Sequence, residues 1–234
     1  MAGTFLEVSG LHGWYGESHV LHGVEFAVGE GEVVTLLGRN GAGRTSTLRA
    51  IMGLIGARKG SVKVRGRETL GLPTHRIARL GLGYCPEERG IFSSLSAEEN
   101  LMLPPPLGAG GMSVEHIYAM FPNLKERATS QGTRLSGGEQ QMLAVARILR
   151  TGAKLLLLDE ISEGLAPVIV AKLGEVVRAL REQGYTIVMV EQNFRFAAPL
   201  ADRFFVMEHG RIVQQFARSE LAANMSMLHE FLGV

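Results

Sequence analysis

Residues 31–55 decide the fold: GEVVTLLGRNGAGRTSTLRAIMGLI. An apolar run over residues 31–38 enters a glycine-rich turn, and residues 45–55 then place their apolar side chains at helical spacing. A strand, a glycine loop and a helix in this order form the context in which a phosphate-binding loop folds. The stretch therefore predicts an α/β domain with an anion site at the start of a helix.

The loop fits the pattern G-x-x-x-x-G-K-[ST] from Gly38 to Thr45, except that Arg44 replaces the lysine. Backbone amides of residues 40–45 form a concave site for phosphate at a helix N-terminus. The Thr45 hydroxyl is expected to bind Mg²⁺. The loop alone leaves open an ordinary glycine-rich turn without a ligand.

Arg44 keeps the positive charge, but a guanidinium is planar and wider than the compact ammonium of lysine. We expect phosphate binding to be retained and hydrolysis to be slower than with lysine. The alternative is a non-binding loop whose Arg44 faces solvent.

A second segment, LLLLDE at residues 155–160, strengthens the phosphate interpretation. Asp159 ends an apolar strand, where a buried carboxylate needs a partner such as Mg²⁺ and its waters. Glu160 follows, and it can accept a proton from an attacking water. An acidic pair that merely opens a turn is the structural alternative. Together with the glycine loop, this segment favours a P-loop nucleotide site.

The segment LSGGEQQMLAVAR, residues 135–147, is the most specific in the chain. Ser136 and Glu139 have the spacing of a capping box, which explains a helix start but not the two glycines between them. Exposed amides at Gly137 and Gly138 are expected to form a second phosphate-binding edge. The chain thus has a phosphate-binding loop and a separate anion-binding helix N-terminus. Two such sites in one chain suggest that two chains share nucleotides across a dimer.

Alternating strands and helices predict a mostly parallel sheet covered on both faces. Strands are predicted at residues 5–8, 24–28, 31–38, 60–66, 82–85, 154–160, 186–192 and 203–213, with a loop between the first two and an edge strand at 60–66. Helices are predicted at 45–55, 96–103, 114–120, 139–149 and 168–183. We therefore expect one domain over 1–234, with an α/β core from 1–86 and 151–234 and an inserted helical subdomain at 87–150.

Composition narrows the function further. A net charge of +1 in 234 residues gives no electrostatic reason for a nucleic-acid partner. Cys85 is the single cysteine, which excludes an intrachain disulfide, and His19 and His22 lack an accompanying ligand pattern. We interpret these histidines as surface residues or as residues with satisfied hydrogen bonds, without a metal role. The N-terminus lacks the pattern of a secretory signal, and the apolar runs are strand-sized, so we expect a cytoplasmic protein.

The segments 38–45, 135–141 and 155–160 resemble, in order and spacing, the ATP-binding subunit of ABC transporters. The segments YCPEERGIFSSLSAEENL, MFPNLKER, EGLAP and VEQN, at residues 84–101, 120–127, 163–167 and 190–193, resemble one of the two ATPase subunits of branched-chain (hydrophobic) amino-acid uptake transporters. The resemblance implies a P-loop NTPase core with an N-terminal antiparallel β portion, and ATP and Mg²⁺ as ligands. It also implies a second ABC ATPase subunit, a related chain or a second copy, together with permease subunits that hold the protein at the inner membrane face and a solute-binding protein.

The resemblance also assigns roles to individual residues. It implies that Tyr15 stacks on adenine, that Glu87 senses Mg²⁺ and the permease, and that Gln192 assists Glu160 in catalysis. Thr45 and Asp159 bind the metal. The nucleotide is held by Tyr15, Gly38, Asn40, Gly41, Ala42, Gly43, Arg44, Thr45, Ser46 and Glu87, and by Ser136, Gly137 and Gly138 acting on the partner's ATP.

Two departures from the family pattern stand out: Arg44, and Ile161 in place of a proline, which is expected to loosen the turn after Glu160. They leave open a regulatory nucleotide-binding subunit with impaired hydrolysis. A soluble ABC ATPase without a membrane partner is a further alternative. The intact Asp159–Glu160 pair favours an active ATPase that powers an importer.

Overall fold

The structure, a computed structural model, describes residues 3–107 and 110–232. Its strands are β1 (Thr4–Tyr15), β2 (Ser18–Gly29), β3 (Val33–Leu37), β4 (Ala57–Val64), β5 (Arg67–Glu68), β6 (Leu82–Cys85), β7 (Leu155–Asp159), β8 (Thr186–Val190), β9 (Arg203–Glu208) and β10 (Arg211–Ala217). Its α-helices are α1 (Arg44–Ile51), α2 (Thr74–Ala78), α3 (Ala97–Met102), α4 (Val114–Met120), α5 (Pro122–Glu126), α6 (Gly137–Arg150), α7 (Pro167–Glu182), α8 (Phe194–Ala197) and α9 (Leu221–Leu232).

The strands form two sheets. An antiparallel sheet has the order β2-β1-β4-β5, and a six-stranded sheet has the order β10-β9-β3-β8-β7-β6. In the larger sheet β3 runs parallel to both β8 and β9, and only β10 pairs in the antiparallel direction. The carboxyl ends of β3 and β7 therefore lie at one edge, where ligands of parallel sheets bind.

The continuous apolar runs reflect a sheet that is buried on both faces. In β7, Leu156 and Leu158 pack into one hydrophobic core, and Leu155 and Leu157 pack into another on the opposite face. The first core contains the helices of residues 97–150 together with α7, α8 and α9, and the second contains the antiparallel sheet and α1. Side chains alternate across a strand, so one run of four leucines supplies both cores.

The predicted fold class is confirmed: a parallel-sheet P-loop core with an antiparallel β portion and a helical region. Helix α3 (Ala97–Met102) begins with the predicted capping box, which Ser96 and Glu99 form. The division into a core and an inserted subdomain stays a prediction. Within the described residues, no helix has the length and apolarity that a membrane crossing requires.

Three predicted elements need correction. The loop between the first two strands is only the turn Gly16–Glu17, because β1 and β2 pair along their whole length. The run 203–213 is a hairpin of β9 and β10, which turns where His209 and Gly210 both have positive φ angles of 46° and 72°. The segment 60–66 comprises the end of β4 and the turn at 65–66, and the short β5 covers the outer side of β4 at Lys63 and Val64.

Candidate functional site

The glycine loop between β3 and α1 lines a cavity of about 600 Å³. Gly43 has a φ of 101°, a left-handed conformation that favours glycine. A Cβ on Gly38 would lie 2.5 Å from the Met207 carbonyl oxygen, so only glycine lets the loop approach β9 this closely. Besides Gly43, the residues that line the cavity are His19, Val20, His22, Asn40, Gly41, Ala42, Arg44, Thr45, Ser46, Glu87, Glu160, Glu163, His209 and Gly210.

Arg44 is buried, with 4% of its surface exposed, and it points into the site rather than toward solvent. One guanidinium nitrogen, Nη1, donates to the carbonyl oxygens of Gly38 and Glu191. The other, Nη2, donates to Asn40 Oδ1 at 3.2 Å and to Glu160 Oε1 at 2.5 Å. The solvent-facing alternative is therefore wrong, and the arginine joins the loop to the end of β7.

Thr45 and Asp159, the two predicted Mg²⁺ ligands, are in contact. Thr45 Oγ1 donates to Asp159 Oδ1 at 2.8 Å, and the Tyr84 hydroxyl donates to Asp159 Oδ2 at 2.9 Å. Burial raises the pKa of Asp159, while these two hydrogen bonds act in the opposite direction. Two oxygen groups in contact at a phosphate loop form the kind of donor pair that Mg²⁺ binds.

Glu160 is held in an unusual backbone conformation next to Asp159. Its φ angle is 47°, and the N–H of Glu163 donates to its carbonyl oxygen at 3.2 Å. Burial raises the pKa of Glu160 to about 7, the neighbouring Glu163 adds to the rise, and Arg44 opposes it. A carboxyl group with a pKa near neutrality suits proton transfer, and left-handed strain of this kind clusters at functional sites.

The turn after Glu160 is held by a buried carboxyl group on the next strand. Glu191 Oε1 accepts from the Ser162 N–H at 3.2 Å, and Oε2 accepts from Ser162 Oγ at 2.7 Å. Burial raises the pKa of Glu191 to about 8, although these two hydrogen bonds lower it. Ile161 is fully buried in the core beside it. The expected loosening of this turn by Ile161 stays a prediction.

Several predicted residues lie outside this cavity. Tyr15 is 40% exposed at the end of β1, near Arg49. Gln192 is exposed and lines a neighbouring cavity of about 950 Å³ between the 162–165 turn and α7 and α8. Glu163 lines both cavities.

Ser136 caps α6 through a complete capping box with Glu139. Gly137 lies beside the Arg89 side chain. Gly138 is buried, and a Cβ there would lie 2.9 Å from Ile169, so the expectation of an exposed amide at this glycine is wrong. Among the described residues, these three do not line the loop cavity.

The residues of the site that were not predicted from the sequence are Tyr84, Glu191, His19 and His22, together with the cavity-lining residues Val20, Glu163, His209 and Gly210. Tyr84 and Glu191 are found only through contacts with residues far along the chain, to Asp159 and Ser162. His19 is exposed, His22 is half-buried, and both line the cavity. Their only sequence signal is that they lie three residues apart on β2.

The arrangement can hold an anion at the loop amides, coordinate a hard cation at Thr45 and Asp159, and present Glu160 to a water molecule beside the anion. These are the parts that phosphoryl transfer to water requires, because that reaction depends on positioning and charge stabilisation.

Comparisons with known proteins agree with this chemistry. The ABC transporter family matches residues 21–163. The chain is 41% identical over 229 residues to the high-affinity branched-chain amino acid transport ATP-binding protein BraG of Pseudomonas aeruginosa, covering 94% of this chain and 96% of that relative. It is 30% identical over 225 residues to the lipopolysaccharide export system ATP-binding protein LptB of Escherichia coli K12, with 94% and 93% covered. The ADP conformation of an ATP-binding cassette of an ABC transporter has a TM-score of 0.81 and 21% identity, with 99% of both chains covered.

Proposed function

This chain belongs to the ABC transporter family, and we propose that it binds and hydrolyses ATP to power the import of branched-chain or other hydrophobic amino acids. One observation carries the ATPase part of this proposal: the loop residues, Thr45 and Glu160 line one cavity, and Thr45 donates a hydrogen bond to the buried Asp159. The solute class rests on the similarity to BraG, whose name assigns it to high-affinity branched-chain amino acid transport.

In the proposed mechanism, the amides of residues 40–45 and the Arg44 guanidinium hold the phosphates of ATP. The phosphates replace Glu160 as partners of Arg44, and this exchange frees the carboxylate. Glu160 then accepts a proton from the water that attacks the γ-phosphate, with Gln192 donating a hydrogen bond. Tyr15 stacks on adenine, and Glu87 reports the state of the site to the permease.

Mg²⁺ fits the residues that the structure brings together. Thr45 Oγ1 and Asp159 Oδ1 are 2.8 Å apart, and hard oxygen donors of this type are the ligands that Mg²⁺ prefers. Thr45 and Asp159 would hold the ion directly or through water. When bound, the ion supplies charge stabilisation to the phosphates.

The proposed partners follow from the family. ABC ATPases form dimers and work with transmembrane permease subunits. We propose that the start of α6, through Ser136 and Gly137, closes on the ATP of a second ATPase subunit, a related chain or a second copy. The permease subunits place this chain on the cytoplasmic face of the cell membrane and receive solute from a binding protein.

The similarity to a transport ATPase and the intact Asp159–Glu160 pair argue against the two alternatives, a regulatory subunit with impaired hydrolysis and a soluble ABC ATPase without a membrane partner. Arg44 does not favour a regulatory subunit with impaired hydrolysis, because its hydrogen bonds to Asn40 and Glu160 place it inside the site.

Hydrolysis by the purified chain tests the ATPase assignment. Glu160→Gln is expected to lower kcat at least about 100-fold and to trap an ATP-bound dimer in size-exclusion chromatography. Glu175→Gln, on the exposed face of α7, is the matched control and is expected to hydrolyse ATP normally. Unchanged hydrolysis by Glu160→Gln contradicts the assigned role.

Uptake tests the solute class. Cells that depend on this chain are expected to lose uptake of labelled leucine when the chain carries Glu160→Gln. Leucine uptake that is independent of the chain contradicts the amino-acid assignment and leaves the ATPase assignment to the hydrolysis assay.

A further inference from the structure

An aromatic cluster lies on the antiparallel sheet beside the glycine loop. It consists of His12 and Trp14 on β1 and His19 and His22 on β2. The Trp14 and His19 rings stack with centroids 4.2 Å apart and planes 9° from parallel, and the His19 and His22 centroids are 4.1 Å apart. His12 Nδ1 and His19 Nε2 are 3.1 Å apart. Three imidazole rings therefore form one connected group.

Two members of this cluster, His19 and His22, line the cavity that the loop amides line. The backbone fixes their position, because the His22 N–H donates to the Gly210 carbonyl oxygen at 2.8 Å. A Cβ on Gly43 would lie 3.2 Å from Leu21 Cδ2 and 3.1 Å from the Gly210 Cα, so β2 packs directly on the loop. A nucleotide whose phosphates occupy the loop must therefore pass close to this histidine pair.

We propose that His19 and His22 contact the bound nucleotide, and that its binding draws a proton onto His22, so that affinity rises as pH falls. The inference rests on the proposed function, since it requires a nucleotide at the glycine loop. It adds a binding role for two residues that the motifs of the family pattern quoted above do not include.

The charges around the pair explain the direction of the effect. Burial lowers the pKa of His22, and neighbouring basic groups add to this effect. Those groups are His19, Arg211 and His12. Without a ligand the neutral form of His22 is therefore favoured. Phosphates in the cavity reverse the balance, because a nearby negative charge stabilises the protonated form of an imidazole.

Other groups also face the pair, and all of them remain in each variant described below. They are Lys59 over Trp14, His209 on the turn before β10, Arg44 on the loop, and Glu87, Glu160 and Glu163 on the cavity wall. The carboxylates stabilise a protonated histidine before and after binding, whereas the phosphates arrive only with the nucleotide. Glu160, whose pKa is about 7 and which loses Arg44 to the phosphates, also takes up protons on binding, so only the part of the proton uptake that the histidine variants remove reports contact between the histidine pair and the ligand.

Isothermal titration calorimetry with MgADP tests the inference without hydrolysis. Titrations in two buffers of different ionisation enthalpy give the number of protons taken up on binding. We expect net uptake by the wild-type chain and an affinity about threefold to tenfold tighter near pH 6 than near pH 8. The double variant His19→Asn/His22→Asn is expected to lose most of this pH dependence. If that double variant does not fold, the double variant His19→Gln/His22→Gln replaces it in the same titration.

His12→Asn is the matched control, because His12 belongs to the cluster but is not among the cavity-lining residues. It is expected to keep proton uptake. The same proton uptake in wild type and in the double variant overturns this inference alone. A chain that binds no MgADP at any pH overturns it together with the proposed function.

Discussion

Replacing Glu191 with glutamine should change how the stability of the protein depends on pH. Glu191 is 1% exposed, and burial raises its pKa to about 8. In the unfolded chain a glutamate has its ordinary pKa of about 4.3. Between these two values the folded state keeps a proton that the unfolded state has released. The contribution of Glu191 to the free energy of unfolding is therefore fully present below about pH 4.3 and is lost as pH rises through about 8.

The size of the effect follows from the same two values. Each pH unit between them lowers the free energy of unfolding of the wild type by about 1.4 kcal/mol through this one group. From about pH 5 to about pH 7.5 the loss amounts to roughly 3 kcal/mol. Glutamine does not titrate, and its amide can accept from the Ser162 N–H and donate to Ser162 Oγ. Glu191→Gln should therefore gain about 3 kcal/mol relative to wild type over this range.

Urea unfolding followed by circular dichroism, at several pH values between about 5 and 8, measures this difference. Glu175→Gln, which removes an exposed carboxylate from α7, controls for the general effect of losing one acidic group. A difference between Glu191→Gln and wild type that stays constant with pH would refute the reasoning. It would mean that Glu191 is ionised in the folded protein.

Three further predictions concern the loop and the core. Arg44→Lys should raise ATP turnover about threefold to tenfold in a steady-state assay. The Arg44 guanidinium must exchange its hydrogen bonds to Glu160 and two carbonyl oxygens for the phosphates, whereas a compact ammonium reaches the phosphates with less rearrangement. Equal turnover in both proteins contradicts this prediction. Gly38→Ala should weaken MgADP binding about tenfold, because the new Cβ meets the Met207 carbonyl, whereas Gly71→Ala has open space and should bind normally. Leu143→Ala should lower the free energy of unfolding by about 2–5 kcal/mol in urea, and the same change at the exposed Leu103 should cost far less.

The phosphate loop was predictable from the sequence because its determinants are local. The apolar run of β3, the glycines and the helical spacing of α1 lie within 31–55, and each signal is read over a few residues. The capping boxes at Ser96 and Ser136 were found in the same way, since both partners lie in one helical turn. Local hydrogen bonding leaves a direct pattern in the sequence.

The hairpin of β9 and β10 was missed although its turn also left a signal. His209 and Gly210 both adopt positive φ angles, as tight two-residue hairpin turns require, and glycine in the second place is typical of such turns. The apolar residues on both sides hid this turn within a single apparent strand. The lengths of β1 and β2 were underestimated because their pairing with each other, and that of β1 with β4, supports residues of low strand propensity, such as Gly13.

By itself, the sequence determined the family, the phosphate loop and the pairing of Thr45 with Asp159, because order and spacing along the chain specify those features. Only the tertiary structure decided how Arg44 is held, since its partner carbonyl on Glu191 lies 147 residues away. It also decided that Glu191 favours its neutral form and that His19 and His22 face the cavity. Burial and the distances between charges set these properties, and both arise from packing that brings distant segments together.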